Sequence, residues 1–178
     1  MPEAEQLGLP RLLFSAHGLP KKRVDGADAY RRHVELRVMA IAEDLGMDRL
    51  DWRLCSQSRL GRLNWIRPYI EDEISGVRAE NQSVVLCRIV FVPEHCETMV
   101  ELGMEIRELV MDKGVPGYIR LNTVSVSEKY IQGLERTIRA TLTNDNTNDE
   151  DYSAVPSGVN ECPCGTVFSG CVMMQMGR

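Results

Sequence analysis

Four short apolar or β-branched runs alternate with four helix-patterned stretches between residues 11 and 142. The runs are RLLFSA at Arg11 to Ala16, Leu50 to Leu54, SVVLCRIVF at Ser83 to Phe91, and Tyr118 to Leu121. Runs of this length, closed by Gly, Pro or polar clusters, read as buried strands. In the first helical stretch Val34, Val38, Ile41, Ala42 and Leu45 keep helical spacing, with Asp28 placed to cap it and Gly46 to stop it. Pro68 suits the first turn of a second helix running to about Ala79. Thr98 to Lys113, closed by Gly114, is the third, and Ser127 to about Leu142 the fourth. The alternation predicts an α/β fold: an open, mainly parallel twisted sheet flanked by helices. Ligands of such sheets bind beyond the carboxyl ends of the strands. His17 follows the first strand, Gln57, Ser58 and Arg59 the second, and Glu94, His95 and Glu97 the third.

The net charge of −5 and pI near 5.3 argue against a nucleic-acid partner. No apolar run approaches the roughly 20 residues that span a bilayer, and MPEAEQLGLP lacks a secretory pattern. A cytoplasmic chain is the expectation, and with it no disulfide framework. Cys55, Cys87 and Cys96 are expected to be small buried hydrophobes. Residues 143–160 are acidic and turn-rich, a linker by composition. Residues 161–178 form a Cys- and Met-containing tail, so the chain divides into a lobe at 1–142, a linker and a tail.

Three histidines are present. His33 lies on the polar face of the first helix and reads as a solvated residue, whereas His17 and His95 sit directly after strands. Imidazole binds first-row transition metals and transfers protons near neutral pH. Carboxylates add the charge that favours a divalent ion. If a helix starts near His95, Glu97 and Glu101 lie four apart on one face, a polar line leading away from a metal position. The bland alternative is a first helical turn decorated with acids, which the helix dipole favours in any case.

Five blocks in register resemble the ferrochelatase family. FSAHGLPKK at Phe14 to Lys22 is similar to the stretch carrying the family's histidine, and GADAY at Gly26 to Tyr30 to its GDPY element. QSRLGRLNWIRPYIEDEI at Gln57 to Ile74, FVPEHCETMVELGMEIRELV at Phe91 to Val110 and GVPGYIRLNTVSVSEKYIQGL at Gly114 to Leu134 continue the likeness. The resemblance spans about Arg11 to Arg139 and implies one lobe of the two-lobed chelatase fold, with ferrous iron and protoporphyrin IX as substrates. It implies His17 and Glu97 as the catalytic and metal-meeting pair. Glu101, Glu94 and His95 would form the metal or proton path and its support, and Trp65 and Tyr30 would face the porphyrin. Gln57 and Arg59 match a polar loop of structural character.

Family members are about twice this length, so the resemblance implies a partner, either a separate N-terminal half or a second copy. It leaves room for peripheral contact with a membrane. Departures fall inside the blocks: Arg62 and Arg88 where Pro is usual, Pro93 for Ser or Thr, Gly103 for an acid, and Ala27 and Ala29 around Asp28. The tail resembles the cysteine-bearing C-terminus of family members that hold a 2Fe–2S cluster. Cys162, Cys164 and Cys171 supply three of the four ligands such a cluster takes. The expectation is therefore no cluster in this chain alone. Two other readings stand beside the half-enzyme: a homodimeric short chelatase of the sirohydrochlorin type, and a non-catalytic remnant that binds porphyrin or metal.

Overall fold

The computed structural model describes residues 10–25, 30–46, 51–58 and 61–143. These fall into two compact units, divided between Thr123 and Val124. The first unit is a four-stranded sheet in the order β2-β1-β3-β4, parallel throughout. Its strands are β1 (Arg11–His17), β2 (Trp52–Gln57), β3 (Val84–Arg88) and β4 (Tyr118–Arg120). The fold expected from the alternation is the fold observed.

Because side chains alternate along a strand, the sheet has two apolar faces. On one, Leu13, Cys55, Val84 and Leu86 pack against Ile70, Ile74 and Val77 of α3 (Ile70–Ala79) and against Ile106 and Val110 of α5 (Ile106–Asp112). On the other, Phe14 and Ala16 meet Val34 and Val38 of α2 (Tyr30–Asp44). Each fully buried Leu, Ile or Phe contributes about 1.5–3 kcal/mol by leaving water. Arg11, inside a run that reads as apolar, is only 4% exposed. Its guanidinium stays charged there by pairing with Asp51 at 2.5 Å and Glu80 at 2.7 Å.

Several boundaries differ from the sequence reading. β2 runs to Gln57 rather than stopping at Leu54, because its backbone pairs with β1 through His17↔Gln57. Buried Ser56 and Gln57 are thus strand residues despite their polarity. Pro68 lies outside the second helix; its carbonyl accepts the Ser56 N–H at 2.8 Å, alongside β2, and α3 starts after the extended Tyr69. A short helix, α1 (Lys21–Asp25), follows β1. Gly46 and Gly114 end their helices at positive φ, +60° and +65°. Asp28 lies outside the described residues.

The cysteine expectation is corrected in part. Cys55 is buried and Cys87 half-buried, but Cys96 is exposed, because it opens α4 (Cys96–Val100) rather than facing the core. Burial, and then the nearby charges of Glu73 and Glu71, push the Cys55 thiol well above its ordinary pKa of 9.0, so it stays protonated. The second unit contains α6 (Glu128–Thr143), where Ile131, Leu134 and Ile138 keep amphipathic spacing. Among the described residues no helix is long and apolar enough to cross a membrane.

Candidate active site

His17 is the last residue of β1, and its position depends on the glycine after it. The Gly18 N–H donates to the Gln57 carbonyl at 2.8 Å. A Cβ at Gly18 would lie 2.9 Å from that oxygen and 3.2 Å from Cε3 of Trp65, so the turn admits only glycine without a shift. The turn aims the Gly18 carbonyl at His17, whose Nδ1 lies 2.7 Å from it. A carbonyl can only accept, so Nδ1 carries a hydrogen, and in the neutral ring Nε2 then keeps its lone pair. Tyr30 donates its O–H to the His17 carbonyl at 2.8 Å and anchors the backbone from α2.

The free nitrogen faces a carboxylate. His17 Nε2 stands 3.3 Å from Oε1 of Glu97, and the side chains are 36% and 47% exposed. A neutral imidazole nitrogen and an ionised carboxylate are both acceptors, so the space between them attracts a proton or a cation. Among the described residues no group of three His, Cys, Asp or Glu converges to hold a metal ion. A cation meeting this pair would keep most of its coordination positions open to other ligands. The Phe91 ring lies edge-on to His95 at 4.5 Å and to His17 at 6.2 Å, walling the site on the β3 side.

Glu97 and Glu101 do not continue as a regular α-helical line. From Glu101 to Glu105 the helix winds as a π-turn before α5 begins. The Glu101 carboxylate accepts the backbone N–H of Ser58 at 2.5 Å and the Ser58 hydroxyl as well. Ser58 holds a positive φ of 62°. Glu101 thereby ties the end of β2 to the helix that carries Glu97. On the same edge Ser15 donates its hydroxyl to the side-chain oxygen of buried Gln57. Arg59 lies outside the described residues.

Glu94 turns away from the pair. Both terminal nitrogens of Arg88 donate to its carboxylate. Arg120 Nη1 adds contacts at 3.0 and 3.3 Å, and the Thr123 N–H another at 3.1 Å. The Arg88 hydrogen bonds first, then those from Thr123 and Arg120, hold the Glu94 pKa down to about 2 against the opposing effect of burial. The sequence marked Arg88 only as a departure from the family pattern and did not mark Arg120; an arginine inside the β-branched run of β3 was the available signal. Trp65 lies over Gly18, and its Nε1 has no hydrogen-bond partner among the described residues. Tyr30 lines a cavity of about 270 Å³ between α2 and the edge strand β2, together with Val38, Met39, Trp52 and Arg67; neither His17 nor Glu97 borders it. His33 is exposed. Cys162, Cys164 and Cys171 lie outside the described residues.

The ferrochelatase family model matches residues 3–142. The chain is 41% identical over 138 residues to a ferrochelatase of Caulobacter vibrioides, covering 76% of this chain and 40% of that one. It is 37% identical over 162 residues to a ferrochelatase of Rickettsia bellii, covering 91% and 44%. A ferrochelatase of Pelagibacter ubique is likewise 37% identical over 162 residues, 86% and 45%. The chain thus spans less than half the length of the relatives it matches. With well over half of its own residues inside the family model, and the likeness running through β1, β2, β3, the helix of Glu97 and β4, the chain belongs to the ferrochelatase family.

Proposed function

We propose that this chain is the lobe of a ferrochelatase that meets the metal and takes up protons during insertion of ferrous iron into protoporphyrin IX. One observation carries the reading: His17 Nε2, the nitrogen not engaged by the Gly18 carbonyl, faces Glu97 at 3.3 Å. Insertion exchanges two pyrrole N–H protons for one Fe(II) with no change in oxidation state. The four ring nitrogens end bonded to the metal, and two protons leave. His17 Nε2 accepts the two protons in turn as a general base, the neighbouring Glu97 carboxylate stabilises the imidazolium each time, and each proton passes to water before the next is taken. The same two groups offer a nitrogen and an oxygen to an arriving divalent ion, which they hold loosely enough to release into the ring.

Glu101, Glu94 and His95 serve as path and support, and Trp65 and Tyr30 face the macrocycle. Holding a flat ring distorted, so that its nitrogens are exposed, needs contacts on both faces. The reading therefore includes a second lobe, either a separate N-terminal half or a second copy of this chain. It includes the division into a lobe at 1–142, an acidic linker at 143–160 and a tail at 161–178, which the family match ending at residue 142 supports. It assigns no 2Fe–2S cluster to the three tail cysteines in this chain alone, and a cytoplasmic location with room for peripheral membrane contact. The test is anaerobic insertion of Fe(II) into protoporphyrin, followed by absorbance, for the chain alone, the chain with a candidate N-terminal half, and both mixtures carrying His17→Ala. Turnover lost in His17→Ala supports the reading. No turnover in any mixture, with the chain folded, overturns it in favour of a binding remnant.

A further inference from the structure

We propose that Arg88, Glu94 and Arg120 are positioning residues: a clamp that joins the ends of β3 and β4 and sets the separation of His17 and Glu97. The inference rests on the reading of His17 and Glu97 as the metal-meeting pair and goes beyond it to what holds that pair in place. Four donors from separate parts of the chain converge on one carboxylate. They are Nη1 and Nη2 of Arg88 at the end of β3, Nη1 of Arg120 at the end of β4, and the N–H of Thr123 beyond it. Glu94 closes the connection between β3 and α4. Its next residue, His95, is the extended residue at the start of α4, with φ −147° and ψ 167°. Glu97 follows two residues later. Anchoring Glu94 therefore anchors the first turn of α4, and Thr98 tightens it by donating its hydroxyl to the His95 carbonyl at 3.0 Å. The Phe91 ring, in the same connection, touches both His95 and His17.

Two features favour geometry over bulk stability as the clamp's role. The Arg88 side chain is fully buried, yet its Nε has no partner among the described residues. A buried ion pair is often no more stabilising than apolar residues of the same size, and β3 offers an apolar site. Glu94 is also unsuited to bind the ion itself. Its oxygens are already occupied by four donors, and two guanidiniums against one carboxylate leave a positive excess that repels a cation. Glu94 acts through Glu97. An ångström of slack in the 89–95 connection would carry Glu97 beyond reach of an ion held on His17 Nε2.

The experiment is Zn²⁺ titration of the full chain, read at the His17 ring by NMR, with folding followed by circular dichroism. Partner groups behind metal ligands commonly change affinity by 10- to 100-fold, so Glu94→Gln and Arg120→Met should each weaken Zn²⁺ at His17 by about tenfold. Arg120→Lys should stay within roughly threefold of wild type, since it keeps the charge on Glu94. In a Glu97→Gln background, Glu94→Gln should add less than about twofold, because the ligand it positions is already gone. Arg120→Met keeps the Arg88 pair and carries the test if Glu94→Gln does not fold. Wild-type Zn²⁺ affinity in Arg120→Met, or full additivity of Glu94→Gln with Glu97→Gln, overturns the clamp while leaving the metal-meeting pair intact. Zn²⁺ binding that ignores His17→Ala overturns both.

Discussion

Replacing Glu94 by Gln should remove a pH-dependent part of the stability as well as a contact. The Arg88 hydrogen bonds, followed by those from Thr123 and Arg120, lower the Glu94 pKa from the ordinary 4.5 to about 2. At about 1.36 kcal/mol per pH unit, that lowering corresponds to ~3 kcal/mol. With 30% of the side chain exposed, solvent screening reduces this to ~2 kcal/mol. Because the folded value lies below the unfolded one, the contribution is fully present above about pH 4.5 and is lost as pH falls toward 2. At neutral pH, Glu94→Gln leaves the buried Arg88 without its counter-charge, which is the same interaction seen from the arginine, so the total loss is roughly 2 kcal/mol. The assay is urea unfolding of wild type and variant in steps from pH 7 to pH 2.5. Titration of every other carboxylate cancels in the difference. The gap should be widest above pH 5 and mostly closed near pH 2.5, because Glu94 of the unfolded chain is protonated there and the folded one is approaching its own pKa. A constant gap across the series, or none at pH 7, would refute the assignment of charge and partners at this site.

Gly18→Ala forces a Cβ to 2.9 Å from the Gln57 carbonyl. It should cost about 1–3 kcal/mol in urea unfolding and weaken Zn²⁺ binding at His17; wild-type values for both would contradict the account of the turn. Ser58→Ala removes the hydroxyl that donates to Glu101 and should cost about 1 kcal/mol, read from the urea midpoint; an unchanged midpoint would mean that the contact is idle. Leu86→Ala, at a fully buried position of β3, should cost about 2–5 kcal/mol; a loss under about 1 kcal/mol would mean that the β3 face is not the core.

Much of the sheet was legible because its strands are apolar where they are buried on both faces. Leu13, Val84 and Leu86 needed no partner to be recognised. The ends were less legible, because backbone pairing rather than side-chain polarity decides where a strand stops. Gln57 belongs to β2 through its register with His17, a relation 40 residues long that no local window contains. Placing His17, Glu94, His95 and Glu97 after strands brought them to one sheet edge, but residue type and spacing could not separate their roles. Glu97 faces His17, whereas Glu94 is drawn off by Arg88 and by Arg120, 26 residues away. The helix of Glu97 was legible from its period, but its π-turn at Glu101 was not. That turn accompanies the capture of the Glu101 carboxylate by Ser58, a tertiary contact. Cys96 reads as a buried hydrophobe by residue type alone, but it stands at the exposed start of α4.

The central claim is that His17 presents a free Nε2 to an ion or proton shared with Glu97. Nitrogen-15 NMR of the imidazole at about pH 8.5, above the usual histidine range, reads this directly. The account predicts that His17 carries its hydrogen on Nδ1, and that Zn²⁺ shifts Nε2 while Nδ1 stays protonated, with the Nε2 response reduced in Glu97→Gln. A hydrogen on Nε2 in the free chain, or Zn²⁺ binding that leaves Nε2 unchanged, would contradict it.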